Sequence, residues 1–203
     1  MKIEKTAFEG LLKIFPDLHR DNRGTFCEVW QAVRYEDLWP ELTFVQDNLS
    51  VSKKGTLRGL HFQKKHPQGK LITVVQGEIY DVALDLRKES ETFGRWFATT
   101  LSDRDFSQLY IPEGFAHGFL TLSGVARVWY RCTDFYYPED EAAIVYNDAN
   151  LAIDWPDVGP LTVSEKDRLA QTFFAWRQRD NFSQFPSLFL APYCLFLDFS
   201  MST

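Results

Sequence analysis

The stretch Thr56–Gln63 reads TLRGLHFQ, and Gln68-Gly69-Lys70 follows it before a long β-strand pattern begins. It brings an arginine (Arg58), a histidine (His61) and a lysine (Lys70) into segments that otherwise alternate like a half-buried sheet. A buried charge without a partner is costly, so these side chains need either partners or a cavity. The stretch therefore predicts a sheet that encloses a small reaction chamber able to hold an anion.

Short strand patterns extend from this stretch along the chain, with turn residues at intervals of about ten residues. Residues 70–75 and 78–86 flank Gln76-Gly77, which predicts a hairpin. The clearest helix pattern opens at Ser164 and is expected to run towards Arg179. Many strands followed by a late helix favour an all-β, antiparallel jelly roll with few short helices over an α/β fold.

The chain has 203 residues, which is enough for one domain with a substantial core. No repeat or low-complexity linker divides it, so we expect a single jelly-roll domain over residues 1–184. Residues 185–203 are unusually apolar. We expect this tail to pack on the domain or on a dimer partner, because a free tail of this kind would expose a large apolar patch.

The net charge and the cysteines indicate which kinds of partner and which cellular compartment to expect. The net charge is −6, from 22 basic and 28 acidic residues, which argues against nucleic-acid binding through a basic surface. Three widely spaced cysteines without a C-x-x-C pair indicate reduced thiols and a cytoplasmic protein. The first twenty residues have no apolar core, and no run of about 18 apolar residues occurs, so neither a signal peptide nor a membrane span is predicted.

His61 has two interpretations when only its neighbours are considered. Between Leu60 and Phe62 it resembles a core histidine bonded to a backbone carbonyl, whereas beside Arg58 and Lys70 it is a candidate base. The two-residue period of a strand places Arg58 and His61 on opposite faces of the sheet unless a bulge separates them. Both interpretations stay open at this point.

The run Pro112-Glu113-Gly114-Phe115-Ala116-His117 has the spacing of the second metal motif of cupins, in which the histidine is a ligand. The first cupin motif needs H-x-H, which His61-Phe62-Gln63 lacks. Transition-metal sites usually need three or four protein ligands, so we expect no metal here. A metal-dependent cupin enzyme is kept as an alternative.

Tyr130 and Asp167 also have two interpretations each. Tyr130 ends the run Val-Trp-Tyr, and its phenol either lies at the rim of a strand or acts as a general acid. Asp167 lies three residues after Ser164, the spacing of a helix capping box. It could equally orient His61, since a carboxylate has acceptor capacity for both uses.

Several motifs in a fixed order resemble those of a known family. They are DNRGTFCE (21–28), FVQDNLS (44–50), LRGLHFQ (57–63), QGKL (68–71), IPEGFAHGF (111–119), TDFYYP (133–138), IDWP (153–156) and LTVSEKD (161–167). Their order and spacing resemble those of the dTDP-4-dehydrorhamnose 3,5-epimerases over about residues 10–168.

This resemblance implies a cupin-type jelly roll, a homodimer and an epimerase without metal or other cofactor. The implied substrate is a dTDP-4-keto-6-deoxyglucose, epimerised at C3 and C5 on the route to dTDP-L-rhamnose. By motif, His61 is the implied general base, Tyr130 the proton donor, Asp167 the partner of the base and Lys70 the residue near the 4-keto oxygen. The positions implied to contact the nucleotide-sugar are Arg23, Glu28, Gln46, Asn48, Arg58, Lys70, His117, Glu141 and Lys166.

Two features depart from the family pattern. The segment between His61 and Lys70 is one residue shorter than the usual form, which is expected to move Lys70 slightly. The tail after Arg168 differs from the usual ending. A 3-epimerase that acts at one carbon, a relative using another nucleotide-sugar and a non-catalytic sugar-nucleotide binding protein stay open as alternatives.

Overall fold

A computed structural model describes residues 1–36 and 42–182 of the chain. Strands dominate this part, with three short helices among them. The strands are β1 (Lys2–Lys5), β2 (Leu12–Phe15), β3 (Leu18–Asp21), β4 (Gly24–Cys27), β5 (Gln46–Lys53), β6 (Thr56–Gln63), β7 (Lys70–Gln76), β8 (Glu78–Asp85), β9 (Trp96–Ser102), β10 (Gln108–Ile111), β11 (Phe115–Thr121), β12 (Val125–Cys132), β13 (Glu141–Ala143) and β14 (Thr162–Val163). The helices are α1 (Ala32–Glu36), α2 (Glu165–Arg168) and α3 (Phe173–Phe182).

Two antiparallel sheets pack face to face. The first has the order β1-β2-β10-β7-β12-β5 and the second the order β13-β6-β11-β8-β9, with β14 parallel to β6 at its side. A separate hairpin consists of β3 and β4. The all-β jelly roll predicted from the strand pattern is confirmed.

The main core lies between the two sheets and is built from alternate residues of their strands. Ile72 and Val74 of β7 face Ile79 and Ala83 of β8 across this core, and all four side chains are fully buried. A second cluster covers the outer face of β8, where Trp176 of α3 packs with its neighbours. β8 is therefore buried on both faces, and its inward face carries two buried carboxylates, those of Asp81 and Asp85.

The turn at Gly77 does not close a hairpin, so that prediction was wrong. β7 pairs with β10 and β12 in the first sheet, whereas β8 pairs with β11 and β9 in the second. Gly77 has φ of +83°, which lets the chain change direction sharply and cross from one sheet to the other. A glycine between two strand patterns is equally compatible with a hairpin and with such a corner.

The late helix pattern forms two helices instead of one. Ser164 caps α2, and its hydroxyl accepts a hydrogen bond from the backbone N–H of Asp167 at 3.1 Å. After Arg168 the chain leaves the helical path, because Gln171 forms a β-bridge with Ile144. Thr172 then accepts a bond from the N–H of Ala175 and starts α3.

None of the helices in the described ranges is long and apolar enough to cross a membrane. The apolar tail over residues 185–203, which we expected to pack on the domain or on a partner, lies outside the described residues.

Candidate active site

A cavity of about 380 Å³ opens between the two sheets at the end where β5 and β7 begin. Its walls come from the inward-facing residues of β5, β6, β7, β11 and β12, so both sheets contribute. Eight of the predicted site residues line it. They are Gln46, Asn48, Arg58, His61, Lys70, His117, Tyr130 and Glu141.

A β-bulge in β6 places Arg58 and His61 on the same face of the sheet. His61 pairs with His117 and Arg58 with Phe119, so β6 has one residue more than β11 over this interval. Gly59 has φ of +122°, and a Cβ there would lie 2.5 Å from the Cα of Gly118. The bulge therefore depends on Gly59 and Gly118, which let the two strands approach closely. It also answers the question, left open by the sequence, of whether Arg58 and His61 lie on the same face of the sheet.

His61 and Asp167 form a close pair at the wall of the cavity. The His61 Nε2 atom lies 2.6 Å from Asp167 Oδ1, with 30% of the histidine side chain exposed and 5% of the aspartate. The other carboxylate oxygen accepts a bond from the N–H of Gly59 at 3.4 Å. Burial alone would raise the pKa of Asp167, but bonding to His61, the charge of His61 and bonds from Ser164 and Gly59 outweigh it and lower the pKa.

The carboxylate of Asp167 therefore faces His61 and not the backbone N–H of Ser164, which it would bind in a capping box. Its backbone N–H bonds to Ser164 while its side chain points into the sandwich. A single-turn helix thus serves to aim one carboxylate at one imidazole. An ionised carboxylate in such a position can fix the tautomer of a histidine and stabilise an imidazolium.

A second histidine–aspartate pair lies deeper in the same cavity. The His117 Nε2 atom is 2.9 Å from Asp81 Oδ2, with 9% of the histidine side chain exposed and none of the aspartate. The second carboxylate oxygen of Asp81 has no hydrogen-bond partner among the described residues. Sequence reasoning assigned no role to Asp81, although a charge at an inward position of the apolar strand β8 was the available signal.

Lys70 and Tyr130 complete the group of candidate reactive side chains. Lys70 opens β7, and desolvation lowers its pKa, opposed by nearby Cys132, Asp81 and Glu141. Desolvation raises the pKa of Tyr130, so its phenol stays protonated at neutral pH and can donate a proton.

A cluster of hydrogen-bonded polar side chains around Glu141 forms part of the cavity rim. Its carboxylate accepts hydrogen bonds from Tyr136 Oη at 2.7 Å and from the ammonium of Lys166. Lys166 therefore reaches the cavity through Glu141, while Tyr136 lines it directly. Sequence reasoning assigned no role to Tyr136, although it lies within the TDFYYP motif (133–138).

Arg23 and Glu28, predicted to contact the substrate, do not reach the cavity within this chain. Arg23 lies on the turn of the β3–β4 hairpin, is 86% exposed and pairs with Asp21. Glu28 lies 3.5 Å from Arg34. The hairpin is tied by Arg20 to the carbonyl of Arg104, at the end of the sandwich opposite to the cavity.

Among residues 1–36 and 42–182, no three histidine, cysteine, aspartate or glutamate side chains are grouped as they would be around a metal ion.

Comparisons with known proteins agree on one family. The family model described as dTDP-4-dehydrorhamnose 3,5-epimerase matches residues 5–174. The dTDP-4-dehydrorhamnose 3,5-epimerase of Methanothermobacter thermautotrophicus is 49% identical over 166 residues, which cover 81% of this chain and 90% of that protein.

Solved structures are similar over most of the chain. A dTDP-6-deoxy-D-glucose-3,5-epimerase from Legionella pneumophila, in complex with dTDP-4-keto-L-rhamnose, is 48% identical with a TM-score of 0.82, over 84% of this chain and 92% of that one. A 3′-monoepimerase from Streptomyces bikiniensis, in complex with dTDP-quinovose, is 28% identical with a TM-score of 0.78, over 87% and 96% of the two chains.

Proposed function

The chain belongs to the dTDP-4-dehydrorhamnose 3,5-epimerase family, and from this premise we propose that it is an isomerase acting on dTDP-4-keto-6-deoxy-D-glucose. It inverts C3 and C5 to give dTDP-4-keto-L-rhamnose, on the route to dTDP-L-rhamnose. The observation that carries the proposal is the 2.6 Å His61–Asp167 pair, facing a cavity that also holds Lys70 and Tyr130.

The chemistry requires removal of a proton from a carbon next to a ketone. Neutral His61 accepts that proton, and the carboxylate of Asp167 stabilises the imidazolium that results. Negative charge then develops on the 4-keto oxygen, which becomes an enolate. The ammonium of Lys70, which is desolvated at the cavity wall, stabilises this charge.

Inversion requires that a proton return to the opposite face of the sugar ring. Tyr130 projects from β12 in the first sheet, whereas His61 projects from β6 in the second. A sugar held between the sheets would therefore have the base on one face and the phenol on the other. The raised pKa of Tyr130 keeps its proton available for transfer.

Arg58 is placed to bind the diphosphate of the nucleotide. Its Nε–H donates to Ser52 Oγ at 3.1 Å, which orients the guanidinium and leaves its other N–H groups for a ligand. Gln46 donates to Asn48 at 3.0 Å, and both amides line the same wall. Together they offer donors and acceptors for the remaining polar groups of the substrate.

We further propose a homodimer in which a second subunit supplies what this chain does not bring to the cavity. Leu49 and Val51 on the outer face of β5 are 61% and 55% exposed, which is unusual for neighbouring apolar residues on a sheet. A partner on this face would bury them, and its β3–β4 hairpin would offer Arg23 a route to the substrate. Analytical ultracentrifugation at micromolar protein tests this, and a purely monomeric species would contradict it.

The free thiols of Cys27 and Cys132 support our inference that the enzyme works in the cytoplasm.

The deciding experiment is the reaction of the wild-type protein with dTDP-4-keto-6-deoxy-D-glucose in deuterated water, followed by NMR at C3 and C5. We expect deuterium at both carbons and formation of the L-sugar. Exchange at C3 alone would identify a 3-epimerase, binding without exchange a sugar-nucleotide binding protein, and loss of activity with chelator a metal enzyme. Each of these outcomes would replace the proposal.

Tyr130→Phe provides a matched variant for the same assay. It removes the proton donor but leaves His61 and Asp167 in place. We expect deuterium exchange to continue while formation of the epimerised product falls by about 10²-fold. If exchange and inversion fall together, Tyr130 does not act on the face opposite to the base.

A further inference from the structure

We propose that Thr133 is a positioning residue for Lys70, acting through Gly69, and that it links Lys70 to Glu113. This inference rests on the proposed function, because it concerns the lysine that stabilises the enolate. Thr133 lies just beyond the end of β12 and Gly69 immediately before β7. Neither Thr133 nor Glu113 lines the cavity, so neither contacts the reacting atoms directly.

Three hydrogen bonds join these residues. The N–H of Gly69 donates to Thr133 Oγ1 at 2.8 Å, and the N–H of Thr133 donates to the Gly69 carbonyl at 3.0 Å. The Thr133 hydroxyl then donates to Glu113 Oε1 at 2.8 Å. One threonine thus uses its backbone and both hydrogen-bonding capacities of its hydroxyl to fix the residue before Lys70.

Gly69 has little room to move within this arrangement. A Cβ at Gly69 would lie 3.0 Å from Thr133 Cγ2 and 3.2 Å from Tyr110 Oη. The backbone of Gly69 therefore packs closely against Thr133 on one side and Tyr110 on the other. Close packing and two reciprocal bonds set the start of β7, from which the side chain of Lys70 enters the cavity.

The rest of the segment before Lys70 is fixed from the same stretch of chain. The buried carboxylate of Asp140 accepts hydrogen bonds from the backbone N–H groups of Lys65 and His66. Both bonds have a length of 2.8 Å. Gln68 donates to the carbonyl of Asp134 at 2.8 Å. The segment between His61 and Lys70 is therefore anchored at both ends, and Thr133 holds the end nearest the lysine.

Lysine needs this kind of support more than arginine does. Its ammonium is a point charge on a flexible four-carbon stem, so fixing the backbone at its root limits the positions that the ammonium can sample. A displacement of about 1 Å in a catalytic site can cost about 10²-fold in rate. The hydroxyl of Thr133 is the group whose loss would release Gly69 without changing any residue of the cavity wall.

The test compares Thr133→Val, which keeps the shape and removes the hydroxyl, with Thr133→Ser, which keeps the hydroxyl. We expect Thr133→Val to lower kcat about ten-fold with KM within about two-fold, and Thr133→Ser to restore most of kcat. Thr121→Val is the matched control. Thr121 is buried in β11, its hydroxyl has no hydrogen-bond partner in the described part of the chain, and it lies outside the cavity wall.

The pH dependence of kcat separates positioning from general loss of structure. Burial lowers the pKa of Lys70, so a displaced and better hydrated Lys70 should titrate at higher pH. We expect the alkaline limb of the pH profile of kcat to move to higher pH in Thr133→Val and to stay unchanged in Thr133→Ser and Thr121→Val. A fall in kcat with an unchanged limb and a lowered Tm, or equal losses in Thr133→Ser and Thr133→Val, would overturn the inference. Failure of the wild-type protein to exchange deuterium would instead overturn the proposed function.

Discussion

The cavity contains two histidine–aspartate pairs that are neighbours on adjacent strands but differ in access and in hydrogen bonding. His61 and His117 pair directly between β6 and β11. The His61–Asp167 pair is closer and leaves the imidazole 30% exposed, and both carboxylate oxygens have partners. The His117–Asp81 pair is almost completely buried, and one Asp81 oxygen is without a partner in the described ranges.

This difference suggests two tasks for the same chemical motif. A base must reach a substrate proton and then keep its own positive charge, which the exposed imidazole and the fully bonded carboxylate allow. The imidazole of His117, of which 9% is exposed, is less accessible to a substrate proton than that of His61. We therefore expect His61 to transfer protons and His117 to bind and orient the substrate.

The largest effect should come from His61→Asn. We expect deuterium exchange at both carbons to fall by about 10³-fold or more, because the proposed mechanism assigns proton removal on that face to His61. The measurement is NMR exchange at saturating substrate, with His117→Asn as the matched variant. If His117→Asn suppressed exchange as strongly as His61→Asn, the assignment of separate tasks would be wrong.

Asp167→Asn should have the next largest effect. The amide cannot stabilise the imidazolium and can hold the wrong tautomer of His61, so we expect kcat to fall by about 10²-fold with binding preserved. Single-turnover rates together with calorimetric binding would separate these quantities. An unchanged kcat would mean that Asp167 serves only to support the bulge through Gly59.

Asp81→Asn should act mainly on affinity. Without the carboxylate, His117 loses a hydrogen bond to a charged partner, and we expect Kd for the nucleotide-sugar to rise by about ten-fold. Isothermal titration with dTDP-sugar would measure this change. A larger fall in kcat than in affinity would indicate that the buried pair takes part in proton transfer.

The smallest effect is on acid stability. The pKa of Asp167 is lowered from 3.8 in the folded protein, so its hydrogen-bonded carboxylate contributes stability that is present above that value and is lost as the pH falls towards the lower pKa. The difference in free energy of unfolding between wild type and Asp167→Asn should therefore shrink below about pH 4. Urea titrations at several acid pH values would detect it, and a difference independent of pH would contradict the lowered pKa.

The sequence predicted which residues lie together better than the paths of the strands that carry them. The motif pattern allowed His61, Lys70 and Tyr130 to be grouped, and they line one cavity, with Asp167 beside His61. The Gly77 corner was mistaken for a hairpin, because a local turn signal does not say which sheet the next strand joins.

Other features that the sequence could not specify also depend on contacts between distant segments. The bulge at Gly59 depends on the backbone of Gly118 in another strand, so the period of β6 alone could not reveal it. The break between α2 and α3 depends on pairing between Gln171 and Ile144. Arg23 lies far from the cavity because the hairpin that carries it is tied to Arg104, a contact with no signature in either segment.

The corner at Gly77 also bears on the order of events during folding. β7 cannot use β8 as its partner, and it must find β10 and β12, which come much later in the chain. β6 likewise depends on β11 and β13. Contacts between distant parts of a chain form slowly, since loop closure must precede any gain from pairing. The chamber between His61 and Lys70 would therefore be assembled late, after most of the chain has been synthesised and both sheets have found their distant strands.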